Sequence, residues 1–446
     1  MYMDIYWLGP LDPQTGLPTE GGGRYRTVKN LSFAPQTDLT GTSMPINEYT
    51  VDVITTDEIP VEVTTCELRD DRNLLWAAFL PRKIVRISEN CLRLTCTSWL
   101  YDLQYKDMEE TVYTGQTAET IIAAIFSPDA NAYQINASLR NKQIYGYAPT
   151  QTARDRLTWV LLVLCAHVKD TYTDKVIIKP TDETAALVPL ERTYMRPSID
   201  KSDWVTGIKV TAYTFSQAAT EAEWEANDNS YMFPMPWIAT EQEFSVTNPD
   251  APEDAPENIK EITGVYFVTP SNAGTIIANL AKFYFNRMSV SADIINNRKY
   301  SVGDLLEVYT GESSMVKGYV KQLSFAFGHQ AKSTVSLTAC EDVELGLLTV
   351  NYKCDGKRIG RAKYYLPVGM EYSIENKYLD KTTKDGHRRI YRPTTAAVTG
   401  TMAAGGMTVD VTYEVYLHLY KGVLHVIGVD EITEESSGGE TIGVIA

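Results

Sequence analysis

Signatures of chemistry are scarce in this sequence. There is no G-x-S-x-G elbow, no H-E-x-x-H pair and no G-x-x-x-x-G-K-S/T loop, which removes the commonest hydrolase, zinc-protease and nucleotide-binding readings. Histidines number five (His167, His329, His387, His418 and His425) and do not cluster along the chain. His418 and His425 flank a turn at 419–422 and can face each other across a hairpin. Two histidines without a further cysteine or carboxylate at ligand spacing do not make a zinc site, so neither metal nor cofactor is expected. His167, at the end of an apolar stretch, reads as a satisfied core or cap residue. The six cysteines (Cys66, Cys91, Cys96, Cys165, Cys340 and Cys354) form no C-x-x-C pair and read as reduced core residues. The longest apolar run, 159–166, falls far short of the roughly 20 residues of a spanning helix, so no membrane span is expected. The start, MYMDIYWLGP, lacks the basic region and apolar core of a signal peptide, and the sequence reads as a soluble protein made in a cytoplasm.

Positive charge is also short. The net charge is −16, and 351–446 holds 12 basic and 12 acidic residues, so the whole excess lies in 1–350. Such a surface repels nucleic acid and excludes DNA storage or sequence reading, while a lumen through which DNA slides as passing cargo stays compatible. Tyrosine is abundant, 28 against 11 phenylalanines. With Thr and Val it favours pleated, half-buried surfaces, so the chain is expected to be mainly β.

At 446 residues the length suggests two to four domains of roughly 150 residues. Residues 1–105 carry short alternating segments (2–8, 48–55, 61–68, 74–80, 84–87, 91–99) at about ten-residue spacing, the pattern of a first β-barrel or sandwich. Residues 106–203 alternate helix and strand. Thr117 starts a helix through 126, and Thr152-Ala-Arg-Asp155 starts a buried one reaching His167, giving a small α/β domain. WVTGIKVTAYTFSQ at 204–217 reads as a strand returning to the first barrel. Residues 218–262 hold 11 acidic residues, one basic and five prolines, and read as an exposed acidic linker with Trp224, Phe233 and Trp237 as docking points. Residues 263–348 form a helix and strands of a second barrel, with Ile276, Ile277, Leu280 and Tyr284 on the helix's inner stripe. Residues 349–446 form a small β module with a flexible tail.

Charge clusters are weighed against solvation. The acidic groups Glu221/Glu223/Glu225 and Asp250/Glu253/Asp254/Glu257 lie in the polar linker, where a solvated surface explains them better than glycan hydrolysis. The one concentrated basic segment, Lys377, Lys381, Lys384, Arg388, Arg389 and Arg392 around His387, is a candidate contact for a polyanion or an acidic partner. A solvated hairpin explains it equally well.

The domain order carries a resemblance. YTGQTAETIIAAIF and TARDRLTWVLLVLCAHV resemble the paired helices of bacteriophage and contractile-injection tail (baseplate) hub proteins. DWVTGIKVTAYTF and the YSVGDLLEVYT…VKGYVKQLSF pair resemble the strands that follow in that family. The match spans about 60 to 345. It implies two barrels of the tail-tube fold and a homotrimer around a channel, joining the six-fold tail tube to a three-fold spike or tip. The implied partners are the tail tube protein, the central spike or tip protein and surrounding baseplate proteins, in a virion or DNA-free particle tail assembled in a bacterial host cytoplasm. The role implied is structural, not enzymatic. Strand residues Leu305, Val308, Tyr309, Val316, Tyr319, Val320 and Leu323 become the candidate assembly contacts. Beyond 350, LTVNYKCDGKRIGRAKYYLPVGMEYSI and MTVDVTYEVYL, with Tyr352, Asp355, Gly356, Gly369, Tyr372 and Tyr413, resemble mucin-binding-protein-type β domains. That opens an alternative, an adhesin binding cell-surface glycan, with a wall hydrolase as a third class.

Overall fold

The computed structural model describes residues 3–8, 23–26, 28–56, 65–70, 75–128, 132–169, 175–181, 184–188, 193–227, 232–295, 300–327, 332–375, 377–382, 384, 386–394, 397–421 and 423–426. The Gly/Pro-rich loop expected at 9–23 lies outside them except for Gly23, as do residues 71–72 of the charged turn expected at 69–72, the turn at 328, His329 and the tail expected from 434; Arg69 and Asp70 end a strand instead. The chain forms two compact units, one of 1–308 with 316–341 and one of 309–315 with 342–446. It is mainly β.

In the first unit, β1 (Met3–Leu8), β2 (Gly23–Arg26), β3 (Val28–Phe33), β4 (Glu48–Ile54), β5 (Thr65–Asp70), β6 (Leu75–Ser88) and β7 (Cys91–Thr97) come first. The expected segments 74–80 and 84–87 are one 14-residue strand, β6. An insert follows: β8 (Asp107–Met108), β9 (Thr111–Thr117), α1 (Ala118–Phe126), β10 (Tyr133–Ile135), α2 (Ala137–Arg140), β11 (Gln143–Ala148), β12 (Gln151–Thr152), α3 (Ala153–Leu164), β13 (Ala166–Lys169) and β14 (Val176–Pro180). Thr117 and Thr152 cap their helices by accepting from the backbone N–H of Thr120 and Asp155. The helix expected to reach His167 stops at Leu164. Cys165 turns into the left-handed region at φ 51°, and His167 belongs to strand β13. Ile121, Ile122, Leu157, Val160 and Leu161 fill the insert's core.

Next come β15 (Ala185–Val188), β16 (Ser198–Lys201), β17 (Gly207–Gln217), α4 (Glu221–Glu225), β18 (Trp237–Thr247), β19 (Ile259–Ile262), α5 (Pro270–Tyr284), β20 (Met288–Ile295), β21 (Leu305–Gly311), β22 (Ser314–Phe327) and β23 (Lys332–Asp342). The two expected barrels share one sheet, in the order β16-β20-β23-β22-β3-β4-β7-β6-β5-β1-β2, with β21 and β15 branching from β22. The seam is β22 against β3, pairing Phe325 with Phe33 and Phe327 with Leu31. Ring centroids of Phe33 and Phe325 lie 5.3 Å apart, and one core runs from Ile5 and Leu68 to Val290 and Leu337.

Two expectations between 204 and 262 are corrected. β17 does not return to the first barrel. It pairs with β18 antiparallel and β19 parallel in a separate three-stranded sheet. Its Ile208, Val210 and Ala212 pack against Ala273, Ile276 and Leu280 of α5, so the helix serves this sheet. At its C-terminal end α5 reaches the cluster of Leu305 and Tyr319 through Phe283, and Lys282 Nζ lies 4.5 Å from the Tyr319 ring centroid. The acidic stretch is not a structureless linker, because it supplies α4, β18 and β19. β18 is an edge strand whose residues 240–243 are all exposed, so its charges cost no burial. Phe233 and Trp237 do dock, in an aromatic cluster with Tyr147, Phe215 and Tyr266, and Trp224 Nε1 donates to the Trp237 carbonyl.

In the second unit, β24 (Leu345–Cys354), β25 (Lys357–Pro367), β26 (Glu371–Ile374), β27 (Leu379–Thr382), β28 (Arg388–Pro393), β29 (Val398–Thr401), β30 (Met407–Tyr420) and β31 (Val423–Val426) build a six-stranded sheet, β25-β24-β30-β28-β27 with β31 on β30, and the hairpin β26-β29. Asp355 and Gly356 both take positive φ, the two-residue hairpin turn that an Asp-Gly pair favours. Tyr352, Tyr372 and Tyr413 lie in the core with Leu348, Val350 and Val411.

Candidate assembly surfaces

The strand residues singled out for subunit contact lie in the chain's own interior. Leu305, Val308, Tyr309, Val316, Tyr319, Val320 and Leu323 are all buried. Val308, Val316, Val320 and Leu323 belong to the common core, and Tyr309 donates its hydroxyl to the Tyr365 carbonyl at 2.7 Å. The backbone of β22 is engaged by β3, β21 and β23. Alternation of apolar residues identifies a buried face but does not say whether a copy or the chain itself covers it.

Most of the basic segment is spoken for locally. Lys377 lies 3.0 Å from Glu375, Arg388 donates to Asp380 at 2.9 Å, and Arg392 donates to Glu414 at 2.6 Å. Lys381 donates to the Ile359 carbonyl, and its burial pulls the ammonium below the ordinary lysine range. Arg389 is partly buried, and Lys384 stays exposed. Other exposed cations of the second unit lie elsewhere. Arg358, Arg361 and Lys363 lie exposed along β25, which pairs only with β24 among the described residues. The KRIGRAK string was the available signal. Surface cations paired with local acids bind a polyanion weakly, because each new contact first breaks an old one.

His418 and His425 face each other across the β30–β31 hairpin, as the turn suggested, and His418 also meets a third histidine. His418 Nε2 lies 2.9 Å from His387 Nδ1, and the His387 ring stacks on Tyr420 with centroids 3.7 Å apart. No group of three or more metal-ligating side chains occurs among the described residues.

A packing site that the sequence reading missed joins the insert to the turn before β21. His167 is fully buried and neither ring nitrogen has a hydrogen-bond partner among the described residues, so the expectation of a satisfied core residue is corrected. Gly303, at φ +84°, lies so close that a Cβ there would sit 1.9 Å from His167 Nε2. Asp304 accepts from Ser301 N at 2.7 Å and meets Lys179 at 3.4 Å and Lys169 at 3.9 Å. Burial first, then the two lysines, pushes the imidazole down to about 3.

Among the described residues β16 pairs with β20 alone, and all four of its residues are exposed. Among the described residues β5 pairs with β6 as far as Phe79, and residues 81–88 of β6 pair with β7.

No family model matches the chain, and no curated protein matches it. Among solved structures it is similar to the tail protein from Neisseria meningitidis MC58, with a TM-score of 0.51 at 10% identity, over 76% of this chain and 96% of that one. It is also similar to the 43 kDa tail protein of prophage MuSo2 from Shewanella oneidensis (TM-score 0.49, 10% identity, 76% and 98% covered). A third is prophage tail protein gp18 from Listeria monocytogenes EGD-e (TM-score 0.46, 11% identity, 76% and 94% covered). The Neisseria comparison establishes a shared fold over three quarters of the chain.

Proposed function

We propose that this chain is a structural component of a phage tail or a related injection particle. In this reading it is a hub that, as a homotrimer, joins the tail tube to a central spike or tip and lines the channel. The observation that carries the reading is the fold shared with the Neisseria tail protein, which covers 96% of that chain. A continuous sheet suits such a part, because strand edges paired between copies bury backbone groups that otherwise invite aggregation. The acidic excess of 1–350 suits a wall past which DNA slides. The role requires no chemistry of the chain, only surfaces. Light scattering and negative-stain microscopy of the purified protein, alone and with its tail tube protein, test it. A three-fold ring that caps the tube supports the hub, and a chain that stays single in both conditions refutes it.

A second reading is favoured by one observation: 351–426 carries 12 basic against 7 acidic residues, with Arg358, Arg361 and Lys363 exposed along β25 and without an ion-pair partner among the described residues. The second unit then recognises an anionic cell-surface glycan. Loss of binding to teichoic acid-type polymer on Arg361→Glu with Lys363→Glu supports it.

A further inference from the structure

A cleft of roughly 630 Å³ opens in the first unit, bounded by the loop 36–45, the segment 202–205, the start of β19 and the turn from α5 into β20. That is the size of a small-ligand site, for which roughly 300–1,000 Å³ is usual. The loop wall is fixed in place. Gly41 takes φ +72° and packs so closely on α3 that a Cβ there would sit 2.9 Å from the Leu162 backbone. Arg154 donates to the Met44 carbonyl, and the Gln36 N–H donates to the buried Asn47 side chain at 3.1 Å. A wall already ordered spares a ligand the cost of ordering it.

Asp38 sets the direction of the hydroxyls on that wall. Its carboxylate accepts from the backbone N–H of Thr40 and Ser43 at 2.9 and 2.7 Å, and from their hydroxyls at 2.5 and 2.9 Å. The Thr42 hydroxyl lies 3.1 Å from Asp38 and 2.8 Å from the Thr40 hydroxyl. A hydroxyl has one proton and two lone pairs. With their protons directed within the loop, Thr42 and Ser43 offer a ligand only lone pairs, so the ligand must donate to them. Positive charge lines the same cleft, from Lys260, Arg287 and Lys321. Arg287 is held, its Nε donating to the Ser202 carbonyl at 2.5 Å and its guanidinium 4.1 Å from the Trp204 ring centroid. Lys260 and Lys321 have no ion pair or side-chain hydrogen bond among the described residues. Of the lining carboxylates, Asp38 is saturated by its own loop and Asp203 is exposed. This cleft therefore reverses the sign of a stretch, 1–350, that holds the whole net charge of −16.

We infer that the cleft binds a polyhydroxylated anion, a sugar acid or a polyol phosphate, whose negative group meets Lys260 and Lys321 while its hydroxyls donate to Thr42 and Ser43. Neither charge alone nor hydroxyls alone satisfy both sets of groups. The site lies in a different unit from the β25 cations and needs no assembly of copies.

Saturation-transfer NMR and calorimetry of the full chain test this with glucuronate, glycerol phosphate, glucose and inorganic phosphate. Glucuronate or glycerol phosphate is expected to bind about tenfold or more tightly than glucose and inorganic phosphate, and the tighter of the two names the source of the ligand. Lys260→Ala and Lys321→Ala, checked for folding by circular dichroism, each weaken that binding by about tenfold, the loss of one charge-assisted hydrogen bond. Ser43→Ala weakens the polyol anion and leaves inorganic phosphate as it was. Arg361→Glu with Lys363→Glu leaves all of these values unchanged, and a loss there overturns the assignment to this cleft. Inorganic phosphate that binds as tightly as either polyol anion overturns the inference, as does binding that survives Lys260→Ala with Lys321→Ala. A hexaglutamate peptide that displaces glucuronate and binds more tightly overturns it in favour of an acidic protein segment. A chain that binds none of these probes overturns it and leaves the hub reading standing.

Discussion

Gly303→Ala is the most informative single substitution, because two independent costs meet there. At φ +84° a side chain pays roughly 1–2 kcal/mol for left-handed backbone. The new Cβ also meets the His167 ring, 1.9 Å from Nε2, 2.6 Å from Cε1 and 2.8 Å from Cδ2. A fully buried imidazole has little room to move, so overpacking adds about 1–3 kcal/mol. The sum, about 2–5 kcal/mol, is a large share of a typical stability of roughly 5–15 kcal/mol. Chemical denaturation followed by tryptophan fluorescence measures it. His167→Ala separates the parts. Alone it costs the cavity and the lost packing, but in the double variant the clash is gone and only backbone strain remains from the alanine at 303. The two losses are therefore strongly non-additive, by about 1–3 kcal/mol. Additive losses would refute the contact and the argument built on it.

Acid weakens the same joint. The His167 imidazole titrates near 6.5 when unfolded and near 3 in the fold, so its contribution is intact above pH 6.5 and falls as pH drops from there toward 3. The slope is about 1.4 kcal/mol per pH unit from this group, and His167→Gln removes that part of the pH dependence in denaturant melts. Arg156, fully buried, donates to the Tyr113 hydroxyl at 3.0 Å and to the Pro149 and Glu109 carbonyls at 2.8 and 3.0 Å. Arg156→Ala is expected to cost about 3–5 kcal/mol, seen as a lower denaturation midpoint and faster amide exchange in the insert. Phe233→Ala, which empties the aromatic cluster against β17, costs about 3 kcal/mol by the same melts, whereas a true linker residue would change nothing measurable. Lys353→Ala, by contrast, breaks an exposed pair with Asp410 and shifts stability by less than about 1 kcal/mol.

What the sequence discloses follows from how one-sided each element is. β4 and β7 alternate because one face is core, and Tyr49, Val51 and Val53 read as buried for the same reason. The capped starts at Thr117 and Thr152 are local hydrogen-bond patterns, so they are visible within four residues. β18 escapes notice because Ala239 is its only buried residue, and its neighbour β17 is recognised as a strand without any sign of its partner. Pairing is a long-range choice that alternation does not encode. The same gap hides the close approach of Gly303 to His167, since residues 136 apart meet only once the insert has folded back. Conversely, the apolar strands β21 and β22 looked like contact surfaces because nothing in 305–323 shows that the chain's own core, with Phe33 and Leu68 in it, is there to cover them.

The seam between β3 and β22 also sets a schedule. Phe33 leaves the ribosome about 290 residues before Phe325, its partner. At roughly 5–20 residues per second, β3 spends about 15–60 s without its neighbour. During that interval one side of β3 is an open, aromatic-bearing strand in a crowded nascent chain. β4 shields the other side early, but nothing nearby in sequence shields this one. Long-range closure of this kind makes folding slow and places its risk at the start of synthesis. Substitutions at Leu31 and Phe33 should therefore reduce soluble yield in cells more than their effect on the finished protein's melting temperature would suggest. Slowing synthesis through 34–324 should deepen that loss, and chaperones that hold extended apolar strands should relieve it.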